Sequence, residues 1–317
     1  MNSVVMTTYN GARYLSEQLE SLMAQEVLPD EIIVADDCSM DASYEIVRAF
    51  AAAHPLIEWR VYRNEQNLGW KRNFKEAIGK ASGEFIYLCD QDDVWTSNHI
   101  AGLWDAMQAH SEIDVMTSHA EPFYEEGAFE PNSVDFECSE SGRVATIPAD
   151  KRYLLVRAPG CTYCLRRTFV ESLMPYWPNG VEHDAFLYAS SCLKGGLGYL
   201  DTTTLRFRRH ADNASDERTK NRDESVKLLD GFLQKNQAIR EWLLSLNPSE
   251  RARLEENGIF DLLDCTDSFT RGRITALKHP SVVSLCRLVL HADMYATRRN
   301  MLGDFACALF PHKDWHR

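Results

Sequence analysis

Three carboxylates, Asp90, Asp92 and Asp93, follow directly on the apolar run Phe85-Ile86-Tyr87-Leu88-Cys89. An apolar run of this length before a polar stop predicts a buried strand. Carboxylates crowded at the end of such a strand repel one another and lose hydration. A hard cation with oxygen ligands offsets that cost. Mg2+ or Mn2+ held by one or two carboxylates usually takes phosphate oxygens as its other ligands. The cluster therefore points to a phosphate-bearing substrate. The plainer alternative is an acidic loop that caps the next helix, since Asp and Ser favour helix starts.

The surrounding elements decide where these carboxylates sit. Ser3–Thr8, Glu31–Ala35 and Glu58–Tyr62 read as strands, and Ile113–Ser118 as another after the carboxylates. Helical spacing covers Tyr14–Ala24, Ala42–Ala53 with Asp41 as N-cap, Lys71–Ala81 ended by Gly83, and Ser97–Ala109. Strands alternating with helices predict a parallel, three-layer α/β sheet. Ligands bind beyond the C-terminal strand ends of such sheets. Three strand ends carry polar clusters, Thr7-Thr8-Tyr9-Asn10, Asp36-Asp37 and the carboxylate triplet, and these are expected to converge on one crevice. Residues 120–150 lack clear periodicity and are read as a long excursion over the site. Residues 151–210 return to mixed strand and helix. From about Asp216 the pattern is helical, over Ser225–Ser245, Pro248–Leu263 and Val282–Leu302.

Composition narrows the function classes. The chain has 317 residues, 44% of them hydrophobic, enough for one large domain or a domain with an appendage. A formal net charge of −13 argues against general nucleic-acid binding, which needs a basic surface. Nine scattered cysteines suggest reduced thiols in a cytoplasmic protein. No secretory signal and no run of about 18 apolar residues is visible. An oxidoreductase would want G-x-G-x-x-G after a strand, and a nucleotidyltransferase a Gly-rich basic loop near the first strand. Gly11 stands alone there.

Taken in order, Val5-Met6-Thr7-Thr8-Tyr9-Asn10-Gly11, Asp36-Asp37-Cys38-Ser39-Met40-Asp41, Asn67-Leu68-Gly69 with Asn73-Phe74, Asp90-Gln91-Asp92-Asp93-Val94-Trp95 and Glu182-His183-Asp184 resemble family 2 glycosyltransferases, in particular the bacterial rhamnosyltransferase-like branch. The resemblance implies a GT-A fold, an α/β architecture whose mainly parallel, Rossmann-like sheet is flanked by helices, here with a C-terminal helical appendage. It implies a catalytic domain over 1–215, with a nucleotide-binding half at 1–110 and an acceptor-binding half at 111–215, and a helical region at 216–317. It further implies inverting, metal-dependent transfer from a UDP- or dTDP-linked sugar to a glycan or lipid-linked glycan, in bacterial surface polysaccharide synthesis. The expected location is the cytoplasm, at or near the inner face of the membrane.

The resemblance also assigns residues. Asp90-Gln91-Asp92 becomes the DxD motif, with Asp90 facing ribose or metal and Asp92 ligating Mn2+ or Mg2+. Asp93 is an alternative ligand. Thr7 and Tyr9 would contact base or ribose, and Asp37 would accept the N3–H of uracil or thymine. Asn67 and Lys71 join the nucleotide-binding set. Asp184 would be the catalytic base, its pKa raised by Glu182 or by burial. His210, in Arg208-Arg209-His210-Ala211-Asp212-Asn213, would complete the metal shell, while Arg208 and Arg209 are alternative diphosphate partners. Two departures stand out: Cys38 where the family has Gly, and Ala185-Phe186 where it often has other aromatics.

Remaining features have competing readings. Cys161-Thr162-Tyr163-Cys164 has zinc-like spacing but lacks a second ligand pair, so Gly160-Cys161 is read as close packing near the donor sugar. Trp95 is expected under the metal loop, and Trp177 either as an acceptor platform or as core. The apolar residues Leu285, Leu288, Val289 and Leu290, with Arg287, Arg298 and Arg299 nearby, suit a packed helix, a homo-oligomer contact or an amphipathic membrane contact. A non-catalytic nucleotide-sugar or glycan binding protein is the rival function, against which intact Asp92 and Asp184 speak.

Overall fold

Strand β1 (Asn2–Thr8) is buried at all seven positions, and so is β2 (Glu31–Asp36) at all six. Burial without alternation means that both sheet faces are covered. The structure is a computed structural model that describes residues 1–128, 135–210, 219–295, 298–310 and 315–316. Between and after these strands come α1 (Leu15–Met23), α2 (Ser43–Ala53), β3 (Glu58–Arg63), α3 (Trp70–Ile78) and β4 (Phe85–Cys89). Leu15, Leu19 and Leu22 recur at helical spacing on α1. With Val47 of α2 they pack in one cluster with Val4, Met6, Ile32 and Val34. Helix α3 lies against β1 and β2.

The chain continues through β5 (Val94–Trp95), α4 (His99–Ala109), β6 (Val115–Tyr124), β7 (Val144–Thr146), β8 (Cys164–Arg166), α5 (Arg167–Leu173), α6 (His183–Lys194) and β9 (Leu197–Arg209). The sheet order is β3-β2-β1-β4-β8-β6-β9-β5, with β7 on β9. The parallel expectation holds from β3 to β4. Beyond β4 the sheet is mixed: β8 runs antiparallel to both β4 and β6, while β6 and β9 are parallel. Strand β5 pairs antiparallel with β9 at Val94↔Arg206 and Trp95↔Leu205. Asp90 to Asp93 therefore lie where the chain leaves β4 and crosses to β9.

Several boundaries differ from the sequence reading. Helix α3 ends at Ile78 with Gly79 as its C-cap, ahead of Gly83. The N-cap of α2 is Ala42. Asp41, one position earlier, accepts from Ser43 N and Ser43 Oγ at 3.0 and 2.5 Å and from Ala12 N at 3.0 Å, so it ties two loops together. The excursion at 120–150 contributes sheet at both ends, because β6 runs on to Tyr124 and β7 pairs with β9. Residues 129–134 lie outside the described residues.

Met1–Pro148, Val156–Pro175 and Asn179–Asn213 form one compact unit; Ala149–Leu155, Tyr176–Pro178 and Ala214–Arg317 form a second. The expected boundary near residue 215 lies outside the described residues. In the second unit, β10 (Thr219–Lys220) pairs with β11 (Trp315–His316), and the helices are α7 (Arg222–Ser245), α8 (Pro248–Glu256), α9 (Ile259–Lys278), α10 (Val282–Leu290) and α11 (Arg298–Leu309). The single helix read over Pro248–Leu263 is interrupted at Asn257-Gly258, and the one over Val282–Leu302 breaks after Leu290. Asn221 and Glu224 form a capping box on α7. Val226, Leu229, Leu277, Cys307 and Ala308 make a core. Buried Asp304 accepts from Arg273 Nε at 2.6 Å and from Tyr295 Oη at 2.8 Å. Leu288 is buried, whereas Val282, Val283, Val289 and Leu290 are exposed. No helix among the described residues is long and apolar enough to cross a membrane.

Candidate active site

The carboxylate triplet splits by environment. Asp93 is fully buried; its Oδ1 accepts the Arg208 backbone N–H at 3.0 Å, and its Oδ2 has no hydrogen-bond partner among the described residues. Asp92 faces His210, with Nε2 and Oδ2 2.8 Å apart. Asp90 is half-buried. Burial first, then the charges of Asp92 and Asp184, push the Asp90 carboxyl up to about 7. Asp93 is raised as well, by burial and then by Asp92 and Asp90. Crowded carboxylates with few donors carry this cost because the charged form is poorly solvated.

Gln91 locks the loop to the end of β1. Its Oε1 accepts Tyr9 N–H at 2.9 Å and its Nε2 donates to Tyr9 O at 3.2 Å. A side chain on Gly11 would begin 2.1 Å from Gln91 Oε1, so the lone glycine of the first motif is needed for close approach. Thr7 is buried at the strand end, whereas the Tyr9 side chain is exposed.

Helix α6 brings the fourth carboxylate. Asp184 stands in its first turn, where open backbone N–H groups and the helix dipole favour an anion. Gly160 permits the approach: a Cβ there would lie 2.8 Å from His183 Nε2 and 3.1 Å from Asp184 Cβ. The His183 ring stacks on Phe74 at 4.0 Å and meets Trp70 edge-on at 5.8 Å. Lys71 pairs with Glu182, the N-cap of α6. Lys71, read in the sequence as a base or phosphate contact, makes this ion pair in the structure.

Asp36 and Asp37 are occupied differently. Asp37 is 2% exposed and accepts from Asn64 Nδ2 at 2.8 Å, Leu68 N at 2.8 Å and Gly69 N at 2.9 Å. It thereby fixes the Asn67-Leu68-Gly69 loop, on which Asn67 is exposed. Asp36 accepts from Thr8 Oγ1, Ser39 N and Ser39 Oγ, with Arg63 Nε 3.5 Å away. Cys38 has φ 63°, a left-handed conformation that glycine adopts without strain and a side chain does not.

The arginines at the end of β9 brace the site. Arg208 Nε donates to Asp92 O at 2.8 Å, its guanidinium pairs with Glu17 and Glu125, and it lies over the Tyr14 and Phe123 rings. Arg209 is buried and lies over Phe207. His210 stacks on Tyr14 at 4.7 Å. Asp212 and Asn213 of the same motif lie outside the described residues, as do the Arg298 and Arg299 side chains.

Trp95 and Trp177 are each 3% exposed, so neither offers an open face; Trp95 packs on His99 at 3.9 Å. The Cys161 thiol lies within the Asp90–Asp93 cluster, its Sγ within 4.8 Å of a carboxylate oxygen of each. Sequence reasoning placed Cys161 near the site as a packing residue only, and it did not find the Gln91 clamp, the Arg208 brace or the Lys71–Glu182 pair. Gly11 was the available signal for the Gln91 clamp.

Four carboxylates and a histidine thus gather at the C-terminal end of a parallel sheet half, on a fold shared with sugar-nucleotide enzymes of known structure. The profile of glycosyl transferase family 2 matches residues 3–172, more than half of the chain, and the chain belongs to that family. An uncharacterised protein of Mycobacterium tuberculosis is 28% identical over 211 residues, 66% of this chain and 59% of that protein. The chain thus spans less than two thirds of that relative. The dTDP-rhamnosyl transferase RfbG of Shigella flexneri is 26% identical over 219 residues, 66% of this chain and 72% of RfbG. Residues 1–349 of Staphylococcus aureus TarS, solved with UDP-GlcNAc, match with a TM-score of 0.59 at 19% identity, over 97% of this chain and 81% of that one. The mannosyltransferase PcManGT of Pyrobaculum calidifontis, solved with GDP-Man and Mn2+, matches with a TM-score of 0.51 at 17% identity, over 98% of this chain and 88% of that one. At these identities the structural matches establish the GT-A-type fold.

Proposed function

We propose that the protein is an inverting, metal-dependent glycosyltransferase that uses a UDP- or dTDP-linked sugar. The observation that carries this reading is the convergence of Asp90, Asp92, Asp93 and Asp184 beside the end of β4. The names of RfbG and TarS, a dTDP-rhamnosyl and a poly(ribitol-phosphate) N-acetylglucosaminyl transferase, support the donor class and a glycan or lipid-linked glycan acceptor of a bacterial surface.

The residues fit a divalent cation. Oxygen donors and an imidazole are present, and Asp93 Oδ2 is buried without a partner among the described residues. Asp92 and Asp93 would hold the ion, with His210 closing the shell or orienting Asp92 by its hydrogen bond. When bound, the cation supplies positive charge against the departing diphosphate. Asp184 takes the proton of the acceptor hydroxyl at its carboxylate, on the face that α6 and Gly160 present. Gln91 holds the Tyr9 backbone beside the nucleotide, and Asp37 shapes the Asn67-Leu68-Gly69 loop around it. In this reading 1–110 binds the nucleotide, 111–215 binds the acceptor and 216–317 is a helical accessory region.

Calorimetric titration of UDP, dTDP and GDP, each with and without Mn2+, tests the proposal. The expected result is binding of a uracil or thymine nucleotide that strengthens with Mn2+. If no nucleoside diphosphate binds with Mn2+ present, the transferase reading fails. Asp184→Asn is expected to lower transfer about 10²–10⁴-fold and to leave nucleotide binding intact. Loss of nucleotide binding would remove Asp184 from the base role.

A further inference from the structure

A sulfur atom sits inside an oxygen-rich pocket that family resemblance assigns to hard cations. One carboxylate oxygen of Asp90, one of Asp93 and the Cys161 Sγ all lie within 4.8 Å of one another. That spacing suits a single ion, whose ligands stand about 2.0–2.3 Å from it. Asp93 and Cys161 are 0% and 1% exposed. The Asp93 Oδ2 atom, buried and without a hydrogen-bond partner among the described residues, is a second observation that points to a missing ligand. Asp90 is only half-buried and gives the cluster an opening. Cys161 is fixed from below by the short helical turn Gly160–Thr162, where Thr162 Oγ1 donates to Pro159 O at 2.7 Å.

We propose that Asp90, Asp93 and Cys161 form a binding site for a thiophilic divalent cation such as Zn2+, Co2+ or Cd2+, separate in its donor set from the Asp92–His210 pair. Thiolate sulfur favours these ions strongly over Mg2+. On binding, the Cys161 thiol releases its proton to solvent and a metal–sulfur bond takes the place of the S–H bond. The site shares Asp90 and Asp93 with the proposed diphosphate region. Its functional consequence therefore rests on that reading: a thiophilic ion in place would draw these carboxylates away from a hard cation and inhibit transfer.

The test uses the full chain and Co2+ alone, read by thiolate-to-cobalt charge-transfer absorption in the near ultraviolet. The wild type is expected to show a saturable band, and Cd2+ or Zn2+ to bleach it. Cys161→Ser is expected to abolish the band, and Asp90→Asn to weaken Co2+ binding about tenfold or more. Cys38→Ser and Cys265→Ser, outside the cluster, are expected to retain it. Circular dichroism of each variant separates loss of the site from loss of the fold, and Asp90→Asn, at the open end, provides the second variant if Cys161→Ser misfolds. No band in the wild type, or an unchanged band in Cys161→Ser, overturns the proposal. Mn2+-linked UDP binding, measured on the same Cys161→Ser protein, reports on the transferase reading independently: its retention with the cobalt band lost separates the two sites.

Discussion

Two strand ends on either side of β1 carry aspartate pairs with opposite fates. After β2, Asp36 and Asp37 are buried and richly hydrogen-bonded: Asp37 takes one side-chain and two backbone donors, and Asp36 takes two hydroxyls and a backbone N–H. After β4, Asp90 and Asp93 are pressed against Asp92, and Asp93 Oδ2 has no hydrogen-bond partner among the described residues. The residue type and the strand-end position are the same. What differs is the supply of donors. A satisfied carboxylate stabilises a loop, whereas an under-supplied one stays ready for a ligand.

Neutralising one member of each pair is the sharpest way to break this comparison. Asp37→Ala leaves the Leu68 and Gly69 N–H groups and Asn64 without their acceptor. It is expected to cost about 2–4 kcal/mol, since hydrogen bonds to charged groups contribute roughly 1.5–3 kcal/mol each and do not add fully. Asp90→Asn is expected to raise the stability of the metal-free protein. Denaturant unfolding in EDTA checks both signs, and equal destabilisation by the two changes would end the distinction.

The second prediction concerns pH. Burial and the charges of Asp92 and Asp184 push the Asp90 carboxyl up to about 7 in the fold, against roughly 4 for an unfolded chain. Between these values the folded state holds the extra proton, so stability falls as pH rises from about 4 to about 7. Thermal melts in EDTA are expected to show this slope, and Asp90→Asn to flatten it. Mn2+ is expected to recover stability near pH 7, through binding to the folded state alone. A wild-type slope identical to that of Asp90→Asn would remove Asp90 as its cause.

Smaller effects refine the comparison. Gly160→Ala puts a methyl group against His183 and Asp184. It is expected to cost about 1–3 kcal/mol by overpacking and to lower transfer more than nucleotide binding. Cys38→Gly relieves a left-handed residue beside the satisfied pair and is expected to stabilise by about 1 kcal/mol or less, because the entropy of glycine offsets part of the gain. Urea midpoints measure both changes.

Much of the region from β1 to β4 was legible in the sequence. Periodicity located β1, β2 and β4, because strands covered on both faces read as apolar runs and their polar stops mark the ends, and it located the edge strand β3 by alternation. The resemblance singled out Asp184, and the structure sets it in the first turn of α6. Beyond β4 the pattern lost direction. Strand β8 is three residues long and β5 two, too short to carry a period. Their antiparallel pairing with β4 and β9 depends on residues more than 70 positions away.

The sequence by itself determined which chemistry was available: three carboxylates behind an apolar strand, a fourth in Glu182-His183-Asp184, and the order of motifs that marks the family. Tertiary structure decided how each group is used. Arg208 pairs with Glu17 and Glu125, Lys71 with Glu182, and Gln91 with the Tyr9 backbone, across separations of 82 to 191 residues. Such pairs leave no local period or propensity, since the free energy of a hydrogen bond depends on where its partner lies in space. The same holds for Cys161, whose place among the carboxylates follows from the pairing of β8 with β4.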